Sequence, residues 1–124
     1  VTQEIIEGDV RDLSRFKKNT FDFVIGTELL EHIPEKDLTK AVKEVHRVSK
    51  RFVFLLICTA GSDHIESRDG KGDPSHITLK TRDWWETFFQ KLKIKRDLEK
   101  ENFANNHQQS KSMKWAGRFF VLSK

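Results

Sequence analysis

Phe21-Asp22-Phe23-Val24-Ile25-Gly26-Thr27-Glu28-Leu29-Leu30-Glu31-His32-Ile33-Pro34 is the stretch on which the fold turns. Phe21, Phe23, Val24 and Ile25 make a strand that Gly26 stops. From Pro34 the period changes: Leu38, Ala41, Val42, Val45 and Val48 recur at helical spacing with charged residues between them. A proline is tolerated in the first helical turn, and Glu35 and Asp37 complement the positive end of the helix dipole. The apolar run Phe52 to Cys58 follows, bounded by Lys50-Arg51 and Gly61. A short run without alternation suits a strand covered on both faces, so the unit reads strand, helix, strand.

Upstream, the β-branched pair Ile5-Ile6 and the punctuation Gly8-Asp9 predict another short strand over Gln3 to Val10. Downstream, Gly61 to Asp73 is a polar, glycine-bearing loop, and Thr81 caps a helix carrying Trp84, Trp85, Phe88, Phe89 and Leu92. At least one of the two tryptophans belongs to the core. Lys93 to Leu98 and Trp115 to Leu122 are two further strands joined by a polar stretch. This order predicts an α/β fold, Rossmann-like, with a mostly parallel sheet and flanking helices. Ligands in such sheets sit beyond the carboxyl ends of the strands, which directs attention to 8–13, 26–32 and 59–76.

The chain has 124 residues, the size of a single domain, with a formal net charge of +4 and 34% charged residues. Seven consecutive apolar residues from Phe52 fall far short of the roughly 20 needed for a membrane-spanning helix. One cysteine, Cys58, excludes an intrachain disulfide, fits a small buried apolar side chain and points to a reducing, cytoplasmic setting. The basic clusters Lys91-Lys93-Lys95-Arg96 and Lys111-Lys114-Arg118 are interrupted by acids and read as a solvated surface rather than a nucleic-acid track. His46 and His64 are expected on solvated surfaces.

Glu28, Glu31 and His32 stand at i, i+3 and i+4, which on one helical turn places them on one face. Two carboxylates and an imidazole suit a divalent cation, and His76, on a loop at the same sheet edge, is a candidate fourth ligand. Glu31 or His32 as a proton acceptor, and a purely structural helix start, stay open beside that reading.

Gly8-Asp9-Val10-Arg11-Asp12-Leu13, then Phe21 to Ile33, then Asp73-Pro74-Ser75-His76-Ile77 with Trp84-Trp85, resemble the second half of a class I S-adenosylmethionine-dependent methyltransferase of the small-molecule or glycan type. The resemblance implies that Asp9 accepts from the adenine amino group, that the Val10 backbone N–H faces the ring, and that Gly26 and Thr27 lie along the methionine part of the cofactor. It implies Glu31, His32 and His76 nearest the transfer point, with Glu31 and His32 as the catalytic candidates. Some quinone-precursor and small-RNA 2′-O-methyltransferases hold Mg²⁺ with Glu-x-x-Glu-His, which would make Glu28, Glu31, His32 and His76 the ligands.

The glycine-rich turn and the first two strands of that fold have no counterpart here, so 1–124 is expected to be a single, incomplete methyltransferase-like domain. In the family's sheet order of three, two, one, four, five, seven, six, the last four strands stay contiguous and the fourth is left with an open edge. Either the third strand moves in beside the fourth, or another copy or chain covers that edge as a homo-oligomer or complex. The implied activity is O- or N-methylation of a small molecule, lipid precursor or glycan. The rivals are a noncatalytic binding or regulatory module, and a metal-dependent RNA 2′-O-methyltransferase fragment.

Overall fold

The computed structural model describes residues 4–61 and 74–124. Strand β1 (Phe21–Thr27) leads through a 3₁₀ turn (Leu30–His32) into helix α1 (Glu35–Val48) and strand β2 (Ser49–Leu56). Helix α2 (Arg82–Lys91), the two-residue strand β3 (Lys95–Arg96), helices α3 (Leu98–Asn106) and α4 (Gln108–Ser112), and strand β4 (Phe119–Ser123) complete it. The four strands lie in the order β1-β2-β4-β3. β1 and β2 are parallel, while β4 runs antiparallel to both β2 and β3, so three strands share a direction and only β4 is reversed. This is the contiguous fourth, fifth, seventh and sixth strand order expected from the sequence.

α1 forms where the pattern put it. Leu38, Ala41, Val42, Val45 and Val48 are all buried, on the face that meets the sheet. The sheet side of that core is Val24, Val53, Leu55, Phe120 and Leu122, joined from α2 by Trp85 and Phe89. Trp85 is buried and Trp84 half-buried, so one indole is core as expected. Thr81 caps α2 by accepting from the Trp84 N–H. Gly26 packs into this core, because a Cβ there would stand 3.1 Å from Leu55 Cδ2.

Three expectations are corrected. Residues 4–8 are exposed and form no strand, and Asp9 instead pairs with Asp12 in a tight turn. The polar face of α1 holds the next segment: Glu44 Oε2 accepts from the Leu13 N–H at 2.7 Å, Arg47 donates to the Phe16 and Leu13 carbonyls, and Arg11 reaches Asp37 at 2.9 Å. Among the described residues no fifth strand joins the sheet, and β1 is its edge with Phe23 and Ile25 exposed. The polar stretch after β3 is helical, as α3 and α4. Finally, His46 is half-buried, with Nε2 donating to the Ser123 carbonyl at 2.8 Å. His64 and most of the 61–73 loop lie outside the described residues.

Candidate functional site

The site lies beyond the carboxyl ends of β1 and β2. Glu28 takes a left-handed backbone (φ 51°) immediately after β1, and its N–H extends the parallel ladder by one bond to the Leu56 carbonyl at 2.8 Å. The chain then tightens into the 3₁₀ turn that carries Glu31 and His32. Since Glu28 precedes that turn in a non-helical conformation, the helical-face relation among Glu28, Glu31 and His32 does not hold. Glu28 Oε1 instead accepts from Arg118 Nη2 at 2.9 Å.

Glu31 is 0% exposed. Its Oε1 accepts from the Cys58 N–H at 3.1 Å, and its Oε2 is buried with no hydrogen-bond partner. The segment entering α2 is pinned across the turn by three bonds. His32 Nδ1 meets the Ser75 carbonyl at 2.9 Å, the Thr78 N–H donates to the Glu31 carbonyl at 3.0 Å, and Thr78 Oγ1 donates to the Ile33 carbonyl at 2.6 Å. This clamp brings the His76 ring to 4.9 Å from the His32 ring. Glu31, His32 and His76 each present a ligand atom, all within 4.8 Å of one another. Three of the four residues expected to meet as ligands do so, and Glu28 does not join them.

The His32 side of this cluster opens into a cleft lined by Gly8, Asp9, Val10, Arg11, Leu29, His32, Ile33 and Pro34. Asp9 and Val10 thus share one cleft with His32. Arg11 holds Asp9 through Nε and Nη2 as well as its backbone N–H, and these bonds lower the carboxyl to about 2. Gly26 faces the core and Thr27 the opposite, exposed side of the sheet, and neither lines this cleft.

Sequence reasoning missed Arg118, which it placed in a solvated basic cluster. The side chain is 0% exposed, with Nε donating to the Ile57 carbonyl at 3.1 Å. It also gave Glu101 no role, although that buried carboxylate accepts from Arg82 and Arg96 at 2.7 Å each and from the Val121 N–H at 3.1 Å. Arg118 carries no local signal, because its side-chain partners stand 61 and 90 positions away, and Glu101 draws Arg82 and Val121 from other elements, 19 and 20 positions away. The Asp97 cap, whose side chain accepts from the Lys100 N–H, is the one local clue to α3.

The strand order with β4 alone reversed, and a cleft at the carboxyl edge beside β1, define the class I methyltransferase fold. Residues 1–57 match the family described as methyltransferase domain. The chain therefore shares a fold with methyltransferases, and residues 1–57 match the model of that family. A protein of Bacillus halodurans C-125 assigned as a methyltransferase superposes with a TM-score of 0.59 at 16% identity, over 96% of this chain and 72% of its own. The YcgJ protein of Bacillus subtilis superposes with a TM-score of 0.52 at 17% identity, over 94% of this chain and 64% of its own. No curated protein sequence matches the chain. Among the described residues no helix is long and apolar enough to cross a membrane.

Proposed function

We propose that the chain is the cofactor-edge portion of an S-adenosylmethionine-dependent methyltransferase acting on an oxygen or nitrogen of a small molecule, lipid precursor or glycan. The observation that carries this reading is the cleft shared by Asp9, Val10 and His32. It sets an adenine-reading pair, a carboxylate acceptor beside a backbone donor, next to an imidazole. When bound, S-adenosylmethionine supplies a methyl group already activated on a sulfonium. The residues present fit its adenine end, where Asp9 and Val10 would hold the base, whereas Gly26 and Thr27, expected along the methionine part, do not line this cleft.

Glu31 and His32 face the acceptor. A carbonyl only accepts, so the bond to Ser75 fixes the Nδ1 proton of His32 and leaves the Nε2 lone pair of the neutral ring for the acceptor's O–H or N–H. Alignment supplies most of the rate, since two pre-oriented partners save the entropy of bringing them together. The single cysteine, Cys58, is free and buried, which suits a reducing, cytoplasmic setting.

Residues 1–124 act as one domain that lacks part of the cofactor cradle. In support, the β1 edge is open among the described residues. Titration calorimetry tests both statements. Binding of S-adenosylmethionine weaker than about 10 μM, or roughly −7 kcal/mol, agrees with a partial cradle. Tighter binding overturns the partial cradle, and absence of binding with no methyl transfer by the full chain leaves the noncatalytic module as the reading. In the basic clusters behind the RNA rival, Arg118 is buried and Arg96 is bonded to Glu101, while the lysines are exposed.

A further inference from the structure

We infer that Glu31, His32 and His76 form a three-ligand site for a borderline divalent cation of the Zn²⁺ type, one that excludes Glu28 and discriminates against Mg²⁺. Three observations converge on it. The first is proximity: one ligand atom from each residue lies within 4.8 Å of the other two. Ligands about 2.0–2.1 Å from a tetrahedral ion stand roughly 3.4 Å apart, so small rotamer adjustments close the site.

The second is Glu31. A carboxylate that is 0% exposed, with one oxygen held by the Cys58 N–H and the other buried without a hydrogen-bond partner, needs a positive partner for Oε2. The third is the shell behind His32. A histidine that ligates through one nitrogen commonly donates its other N–H to a carbonyl, which fixes both the ring and the tautomer. The 2.9 Å bond to the Ser75 carbonyl is that arrangement, and the Thr78 clamp holds the segment bearing both Ser75 and His76.

Donor chemistry selects the ion. Two imidazoles and one carboxylate suit Zn²⁺, Co²⁺ or Fe²⁺, whereas Mg²⁺ prefers oxygen ligands and an octahedral shell. Three protein ligands leave a fourth position open, as in catalytic rather than structural zinc sites. Of the three ligands, His32 also lines the Asp9 cleft. With the ion bound, the His32 lone pair is engaged and an acceptor oxygen meets the cation instead.

The site is measured without cofactor or acceptor, so its failure and the failure of the methyl-transfer reading are separate results. The full chain, freed of metal by chelation, is titrated with Zn²⁺ alone and then Mg²⁺ alone, following bound metal and melting temperature. Stoichiometric Zn²⁺ binding that raises the melting temperature, with no shift from millimolar Mg²⁺, is expected. His32→Ala and His76→Ala each lower Zn²⁺ affinity at least 10-fold, while Glu28→Ala leaves it within twofold. Circular dichroism confirms that the histidine variants, both half-buried sites, remain folded. Wild-type chain that binds no Zn²⁺, an equal response to Mg²⁺, or a Glu28→Ala loss matching the histidine variants overturns the assignment.

Discussion

Glu31 and Arg118 grip the two polar ends of a single peptide unit. The Ile57 carbonyl accepts from Arg118 Nε and the Cys58 N–H donates to Glu31 Oε1, each at 3.1 Å, and both side chains are 0% exposed. The β2–β4 ladder ends one residue earlier, at Leu56 and Phe119. The opposite charges therefore take over where sheet pairing stops. They set the direction in which the chain leaves β2 and passes over the cluster.

Replacing Arg118 by Met keeps most of the buried volume and removes the donor. The Ile57 carbonyl is left unmet in a dry setting, while Glu28, largely exposed, rehydrates. Arg118→Met is expected to cost about 2–3 kcal/mol in urea denaturation at unchanged m-value. A cost near zero would mean that apolar packing replaces the guanidinium fully, as it does at some buried ion pairs.

Glu101 has the larger stake. It joins α2 through Arg82, β3 through Arg96 and β4 through the Val121 N–H. Glu101→Ala strands two guanidinium groups and a backbone donor, so a loss of about 3–5 kcal/mol is expected. Arg96→Ala leaves Arg82 in place and costs less, about 1–2 kcal/mol. Equal losses from the two variants, in the same denaturation assay, would show that Arg82 does not compensate.

That network also explains what the sequence did and did not reveal. α1 was legible because five apolar residues at helical spacing all face one sheet. α3 was not: its one buried residue is Glu101, so no apolar stripe marks it, and ion pairing from distant segments does the organising. Ile5 and Ile6 have strand character but no neighbouring strand to pair with, and propensity alone does not make a strand. At the site, the proximity of Glu31, His32 and His76 followed from placing them at one sheet edge. Glu28 failed because the spacing argument assumed a helix that starts only after its φ of 51°.

His46 supplies a pH dependence. Burial, first, and the nearby Lys124 charge lower its pKa below 6.5, outweighing the bond to the Ser123 carbonyl. The folded state then binds fewer protons than the unfolded state, so stability is fully present above 6.5 and is lost as pH falls through the folded value. Melting temperatures between about pH 5 and 8 are expected to rise with pH in wild type. His46→Gln should flatten that rise, and an unchanged slope would assign it to another group.

The β1 edge offers unpaired backbone groups beside Phe23 and Ile25, the latter 73% exposed. A second copy, one of the two arrangements expected from the sequence, would pair those groups. Ile25→Lys is expected to alter monomer stability by less than about 0.5 kcal/mol while abolishing self-association in sedimentation velocity. Wild type that sediments as a monomer at every concentration would remove the second copy.

Asp9 separates recognition from folding. Its carboxylate is exposed and its four hydrogen bonds all come from Arg11, which also reaches Asp37 on α1. Asp9→Asn keeps an acceptor oxygen but loses the charge that holds Arg11, so the cleft wall shifts while the core is untouched. Affinity for S-adenosylmethionine is expected to fall about 10-fold, the equivalent of 1.4 kcal/mol, with the melting temperature nearly unchanged. The pH dependence follows from the same bonds. With its pKa lowered from 3.8 to about 2, Asp9 stays ionised through the mildly acidic range, and its contribution is lost only as pH falls through about 2. Cofactor affinity measured by calorimetry should therefore show no loss attributable to Asp9 between about pH 7 and 5, whereas a carboxyl at its ordinary value would already begin to protonate near the lower end. A fall in affinity over that range that persists in Asp9→Asn points to another titrating group in the cleft; one that disappears in the variant means Arg11 does not hold the carboxylate in solution.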